Sequence, residues 1–138
     1  MTETVVVVGH GMVGHRFVQE LRARDAGNTH RAVVLSEEPT AAYDRVGLSS
    51  YVGSWDPAAM ALEGNGYPGD DLVEVRLGTS ATSIDRGAKV VTTCAGDRLP
   101  YSKLVLATGS YPFVPPVPGH DNARSFVYRT LADLDAIR

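Results

Sequence analysis

A single cysteine, Cys94, stands among the 138 residues, so no intrachain disulfide can form and no cysteine-rich metal framework exists. That usage suits a reducing compartment, and the cytoplasm is the expected location. Four scattered histidines beside one thiol do not make a zinc site. The net charge is −3 and no basic block or stripe interrupts it, which leaves no footprint for nucleic acid. No apolar run approaches the roughly 20 residues that span a bilayer. The start also lacks the basic, apolar and small-residue segments of a signal peptide. Internal repeats and low-complexity tracts are absent. With 43% hydrophobic and 21% charged residues the chain falls among ordinary folded domains rather than disordered ones. Its length fits one domain or part of one.

What is present has a clear order. Val5–Val8 is a β-branched run ending at Gly9, the pattern of a strand buried on both faces. Met12 to about Ala26 reads as a helix, because Gly14, Phe17, Val18 and Leu21 recur at helical spacing on one side. Gly27 and Asn28 are its stop signals. Ala32–Leu35 is a second β-branched strand, completing a βαβ unit. Ser36 to about Gly53 lacks periodicity and is expected to be an irregular loop of functional kind. Asp56–Leu62 suggests a short helix with Pro57 in its first turn. Val73–Leu77 reads as a strand. Thr79–Ile84, Val90–Thr93 and Arg98–Pro100 suggest a small antiparallel meander. Lys103–Ala107 is another buried strand, Pro112 to Gly119 should be extended, and Thr130–Arg138 opens a helix. The fold expected is α/β: a Rossmann-like parallel sheet flanked by helices, with the meander added.

The first strand runs into Gly9-His10-Gly11-Met12-Val13-Gly14, which fits G-x-G-x-x-G. Gly9 permits the sharp strand-to-helix turn, Gly11 leaves room for a diphosphate to approach the backbone, and Gly14 lets helix and strand pack closely. The helix start, at Met12 and Val13, then offers free N–H groups and partial positive charge to phosphates. Glu37 and Glu38 follow the second strand about twenty residues later, where a carboxylate accepts hydrogen bonds from ribose hydroxyls. Glu37 is preferred by its offset, with Glu38 as a solvated neighbour. An acid there also suits an unphosphorylated ribose. No G-K-[ST] follows, so a Walker-type phosphate loop is excluded.

The order of further motifs resembles the FAD domain of the pyridine nucleotide-disulphide oxidoreductase superfamily. They are Ala42-Tyr43-Asp44-Arg45-Val46 with Leu48-Ser49-Ser50-Tyr51, Ala107-Thr108-Gly109-Ser110-Tyr111-Pro112, and Phe126-Val127-Tyr128-Arg129-Thr130. With Gly11 to Phe17 they are most similar to the large subunits of NAD(P)H-dependent assimilatory nitrite reductases, over nearly the whole chain. The resemblance implies FAD in this chain, an NAD(P)H site beyond it, and siroheme with an iron–sulphur cluster further on, reducing nitrite to ammonia. It implies that residues 1–138 are the N-terminal part of an FAD-binding domain, an incomplete one, with the remainder of the parent polypeptide as partner. Exposed apolar surface and a homodimer are then expected consequences. Cofactor contacts are implied for Arg45, Ser50, Ala81, Ala107, Thr108, Gly109 and Arg129. Ser49 and Ser50 stand where relatives carry redox cysteine, so thiol chemistry at the flavin is not implied. Ferredoxin reductases often carry lysine where Ser50 stands. A ferredoxin or rubredoxin reductase, or a non-catalytic nucleotide-binding fragment, are the alternatives.

Several residues carry two readings. Arg45 either meets a phosphate or flavin or lies on the surface. Arg129 either lies near the cofactor or caps a strand end. His10 and His15 flank the turn and read first as structural, as do Trp55 and Tyr51. Cys94 reads as a structural thiol in a meander strand. No residue stands out as acid, base or nucleophile, and hydride transfer needs none, because the cofactor carries that chemistry.

Overall fold

The computed structural model describes residues 1–138. In chain order the elements are β1 (Glu3–Val8), α1 (Met12–Arg24), β2 (His30–Leu35), α2 (Leu48–Ser54), β3 (Val73–Arg76), β4 (Ala81–Asp85), β5 (Val90–Thr93), β6 (Arg98–Pro100), β7 (Lys103–Leu106) and α3 (Leu131–Ile137). The chain divides into two units. Residues 1–43 and 62–109 form a sheet unit, and residues 44–61 and 110–138 form a helical unit.

In the sheet unit four strands lie in the order β3-β2-β1-β7, all pairings parallel. The valine run of β1 occupies the middle, and its alternation explains why both faces are apolar. Val5 and Val7 point to one face with Ala32 and Val34, where Val18 of α1 seals them and Phe17 and Leu21 pack alongside. Val6 points to the other with Val33 and Leu35, against Val91 of β5, Leu99 and Tyr101. A buried valine of this kind contributes roughly 1.5–3 kcal/mol. Thus α1 covers one face and the antiparallel sheet β4-β5-β6 covers the other.

The turn from α1 into β2 is held by Asp25. Its carboxylate accepts from Thr29 N at 3.0 Å, Thr29 Oγ1 at 2.7 Å and His30 N at 2.8 Å. The Thr29 hydroxyl, with the backbone donors of Thr29 and His30, holds that carboxyl well below the usual range. Arg22 reaches from the last turn of α1 to Asp70 at 2.8 Å, tying the helix to the segment before β3.

The helical unit departs from expectation in two places. Residues 48–54, expected as loop, form α2. Asp44 explains it: its side chain accepts from Val46 N at 3.0 Å and Gly47 N at 3.2 Å, opening a single-turn 3-10 helix that runs into α2. Only Leu48 and Tyr51 of α2 are buried, too few positions to leave a periodic signal in the sequence. Conversely the helix expected over Asp56–Leu62 is a short 3-10 helix, Pro57–Met60, capped by Asp56. In the sheet unit, Cys94 lies just beyond β5 and is exposed, rather than inside a strand.

Thr130 and Asp133 close α3 with a reciprocal cap. The Thr130 hydroxyl accepts from Asp133 N at 3.1 Å, and the Asp133 carboxylate accepts from Thr130 N at 2.8 Å. Thr130→Ala should cost about 1 kcal/mol of α3 stability. Faster amide exchange confined to α3 would report it, and unchanged exchange there would contradict it.

Candidate functional site

The strand order places the glycine turn where the sheet changes its direction of winding. From β1 the chain proceeds to β2 and β3 on one side, and β7 is added on the other. Ligands of open α/β sheets bind outside the carboxyl ends of strands at such a point. Three strand ends lie side by side here. Gly9 N donates to Leu35 O at 2.9 Å, and Ala107 N donates to Val8 O at 2.8 Å. The end of β1 therefore has the end of β2 on one side, with Glu37 two residues beyond it, and the end of β7 on the other, leading into Ala107–Gly109, each paired strand roughly 5 Å away.

The three glycines of the turn have different surroundings. A Cβ on Gly9 would lie 2.1 Å from Ala107 O, and its φ is +110°. A Cβ on Gly14 would lie 2.2 Å from Gly9 O. Those two glycines are required by packing of the protein on itself. Gly11 is different: a Cβ there would meet nothing within 4 Å. No protein contact accounts for its small size. Beyond it α1 begins with no side-chain cap and no acid in its first turn. Its free N–H groups and partial positive charge suit an anion. Met12 and Val13, 37% and 73% exposed, present that first turn to solvent.

The acids separate. Glu37 is exposed, while the carboxylate of Glu38 accepts from the Tyr43 hydroxyl at 2.5 Å. Gly78 N donates to Glu38 O and Thr79 N to Ser36 O, at 3.0 and 2.7 Å, so the segment before β4 lies along the end of β2. Ala81 follows at the start of β4, half-buried against the second core cluster. Thr108 is exposed and Gly109 has φ +69°.

Arg45, Ser50 and Arg129 belong to the helical unit. Arg45 donates to Arg129 O at 2.7 Å, and Arg129 Nε donates to Ser110 O at 2.9 Å. Both guanidiniums thereby brace backbone, and Ser50 lies on the exposed side of α2. Tyr51, read as packing, is buried and donates to Asp135 at 2.7 Å.

Sequence reasoning missed Tyr67. Its hydroxyl lies 3.0 Å from His15 Nδ1, and His15 Nε2 lies 3.0 Å from the Glu63 carbonyl. His10 packs against both rings, with centroids 5.9 Å from each. Nothing in the local sequence joins residue 67 to the turn, so only tertiary structure reveals the cluster.

These residues fit a dinucleotide. An open Gly11, an uncapped helix start and an acid one strand away match its diphosphate and ribose. No group of His, Cys, Asp and Glu side chains is arranged to hold a metal ion. No helix is long and apolar enough to cross a membrane.

Residues 3–138 match the model of the pyridine nucleotide-disulphide oxidoreductase family. The chain is 50% identical over 138 residues to the large subunit of a nitrite reductase [NAD(P)H] from Klebsiella oxytoca, covering 99% of this chain and 14% of that protein. It is 41% identical to the nitrite reductase (NADH) large subunit of Escherichia coli K12, covering 96% of this chain and 16% of that one. A ferredoxin reductase structure from Rhodopseudomonas palustris superposes with a TM-score of 0.89 at 25% identity, over 99% of this chain and 33% of that chain. The chain thus spans about a sixth or less of the two nitrite reductase subunits.

Proposed function

Since the chain belongs to the pyridine nucleotide-disulphide oxidoreductase family, we propose that it binds FAD at the Gly9–Gly14 turn. We further propose that it serves a cytoplasmic NAD(P)H-dependent oxidoreductase that reduces nitrite to ammonia. The observation that carries the binding reading is the contrast among the glycines: backbone blocks a Cβ at Gly9 and Gly14, and open space surrounds Gly11. The nitrite reading rests on the 50% identity to the Klebsiella oxytoca subunit.

In this reading each part of the sheet unit has a task. The first amides of α1 hold the diphosphate, helped by the partial charge of the helix, worth about 0.3–1 kcal/mol and up to ~2 when partly buried. Glu37 accepts from the adenosine ribose hydroxyls. Ala107–Gly109 would line the cofactor, the positive φ of Gly109 marking a backbone turn that a side chain would strain. When bound, FAD would supply the redox chemistry, hydride acceptance from a nicotinamide. An iron–sulphur cluster does not fit this chain, whose single cysteine falls short of the four thiolates such a cluster takes.

Glu37→Ala should weaken FAD binding by about 1.5–3 kcal/mol, the loss of hydrogen bonds to a charged group. In affinity that is on the order of 10- to 100-fold. Titration of FAD followed by flavin fluorescence reads it, and an unchanged dissociation constant would remove Glu37 from the site. The second reading, a reductase for ferredoxin-type partners, draws on the Rhodopseudomonas palustris structure. NADH-dependent loss of nitrite in the full-length protein favours the first. Reduction of a ferredoxin without nitrite turnover favours the second.

A further inference from the structure

His10, the residue between the first two glycines of the turn, is only 7% exposed, and neither of its ring nitrogens has a hydrogen-bond partner. Buried polar groups without partners are costly and uncommon. The neighbouring histidine is in the opposite situation. His15 is 4% exposed, with Nε2 on the Glu63 carbonyl and Nδ1 beside the Tyr67 hydroxyl. Since a carbonyl only accepts, Nε2 carries a proton, and both edges of His15 are engaged. His10 alone has capacity to spare.

The ionisable groups facing His10 are His15 of α1 and Tyr67 of the segment before β3. Neither offers negative charge. Burial holds the Tyr67 hydroxyl well above its ordinary value, so it stays protonated. Burial, and then the neighbouring His15, push the His10 imidazolium down to about 4. A proton on this ring lacks a counter-charge in the free protein. The diphosphate of a dinucleotide would bring that charge to the adjoining residues, Gly11 and the start of α1.

We propose that His10 is the proton-linked member of the diphosphate site: neutral in the free protein and protonated when a dinucleotide diphosphate is bound. Binding then takes up a proton in mildly acid solution. The inference rests on the reading of the turn as an FAD site and adds to it a specificity for the charged diphosphate over an uncharged flavin.

Linkage fixes the sign. If the bound anion returns His10 to an ordinary pKa of about 6.5, FAD affinity tightens about tenfold between about pH 7.5 and about pH 5.5. The test is calorimetric titration of FAD into the protein at both pH values, each in two buffers of different ionisation heat. The diphosphate of FAD is a diester and does not itself titrate in this window. The unsubstituted protein should take up close to one proton per FAD at the lower pH and little at the higher. His10→Asn should bind FAD with no uptake and no change of affinity with pH. Histidine NMR titration of the unsubstituted protein gives a second reading that needs no variant: the His10 midpoint should rise when FAD is bound. FAD binding with buffer-independent heat, an unmoved His10 midpoint, or uptake that persists in His10→Asn would overturn the assignment to His10 while leaving the FAD site standing. Failure of FAD to bind at either pH would overturn both.

Discussion

Gly9→Ala is expected to leave the sheet unit unfolded or nearly so. The added Cβ would sit 2.1 Å from Ala107 O and 2.6 Å from Ala107 C, both backbone atoms that cannot rotate away. Relief requires β1 and β7 to part at the one place where their ends meet, and β1 is the centre of both core clusters. The backbone adds to the cost, because φ of +110° is a conformation that alanine rarely adopts. Strain of this kind costs about 1–3 kcal/mol before any clash is counted. The sum should exceed about 4 kcal/mol, a large part of the ~5–15 kcal/mol that stabilises an ordinary domain. Denaturant unfolding followed by circular dichroism measures it. A midpoint close to that of the unsubstituted protein would mean that β1 and β7 do not meet in this way.

Gly11→Ala should do the reverse. Its φ of −86° is open to alanine, and the new methyl group meets nothing within 4 Å. Stability should fall by no more than about 1 kcal/mol, the loss of a favourable residue at a helix N-cap. FAD affinity should fall by about 100-fold, or about 2.7 kcal/mol, because the methyl occupies the space through which a diphosphate approaches the backbone. The pair of variants separates two uses of glycine in one motif. Gly9 serves the protein's own packing and Gly11 serves the ligand. Equal binding by Gly11→Ala and the unsubstituted protein would show that nothing approaches the turn there.

The parts of this fold carried by strong local patterns were legible in the sequence. Four successive valines admit few fates other than a strand buried on both faces, and β1 is one, sealed by Val18 on one side and Val91 on the other. The spacing of Gly14, Phe17, Val18 and Leu21 marks the inner side of α1 for a similar reason. Elements held by a few polar contacts were not legible. The α2 helix depends on the Asp44 carboxylate receiving two amides, and only two of its seven residues are buried. The short 3-10 helix after it satisfies the same Asp and Pro signals that suggested a longer helix.

The candidate site divides in a comparable way. The glycine turn and Glu37 could be read from motif and offset. That the Glu38 carboxylate accepts from Tyr43, rather than standing as a solvated neighbour, follows from a hydrogen bond that spacing alone does not display. Arg45 and Arg129 carried two readings in the sequence, and the structure shows both donating to carbonyls within the helical unit. His10 reads in the sequence as a structural neighbour of the turn, and its burial with two unpartnered nitrogens is a feature of the structure alone. Tyr67, one of the rings packed against it, approaches the turn only through tertiary structure.

The most direct measurement is equilibrium dialysis of the purified protein against FAD and, separately, riboflavin, which has the same ring system without the diphosphate or adenosine. Anchoring through the turn predicts that FAD is retained, a single molecule per chain, and that riboflavin is not. Retention of riboflavin as strong as that of FAD, or retention of neither, would contradict it.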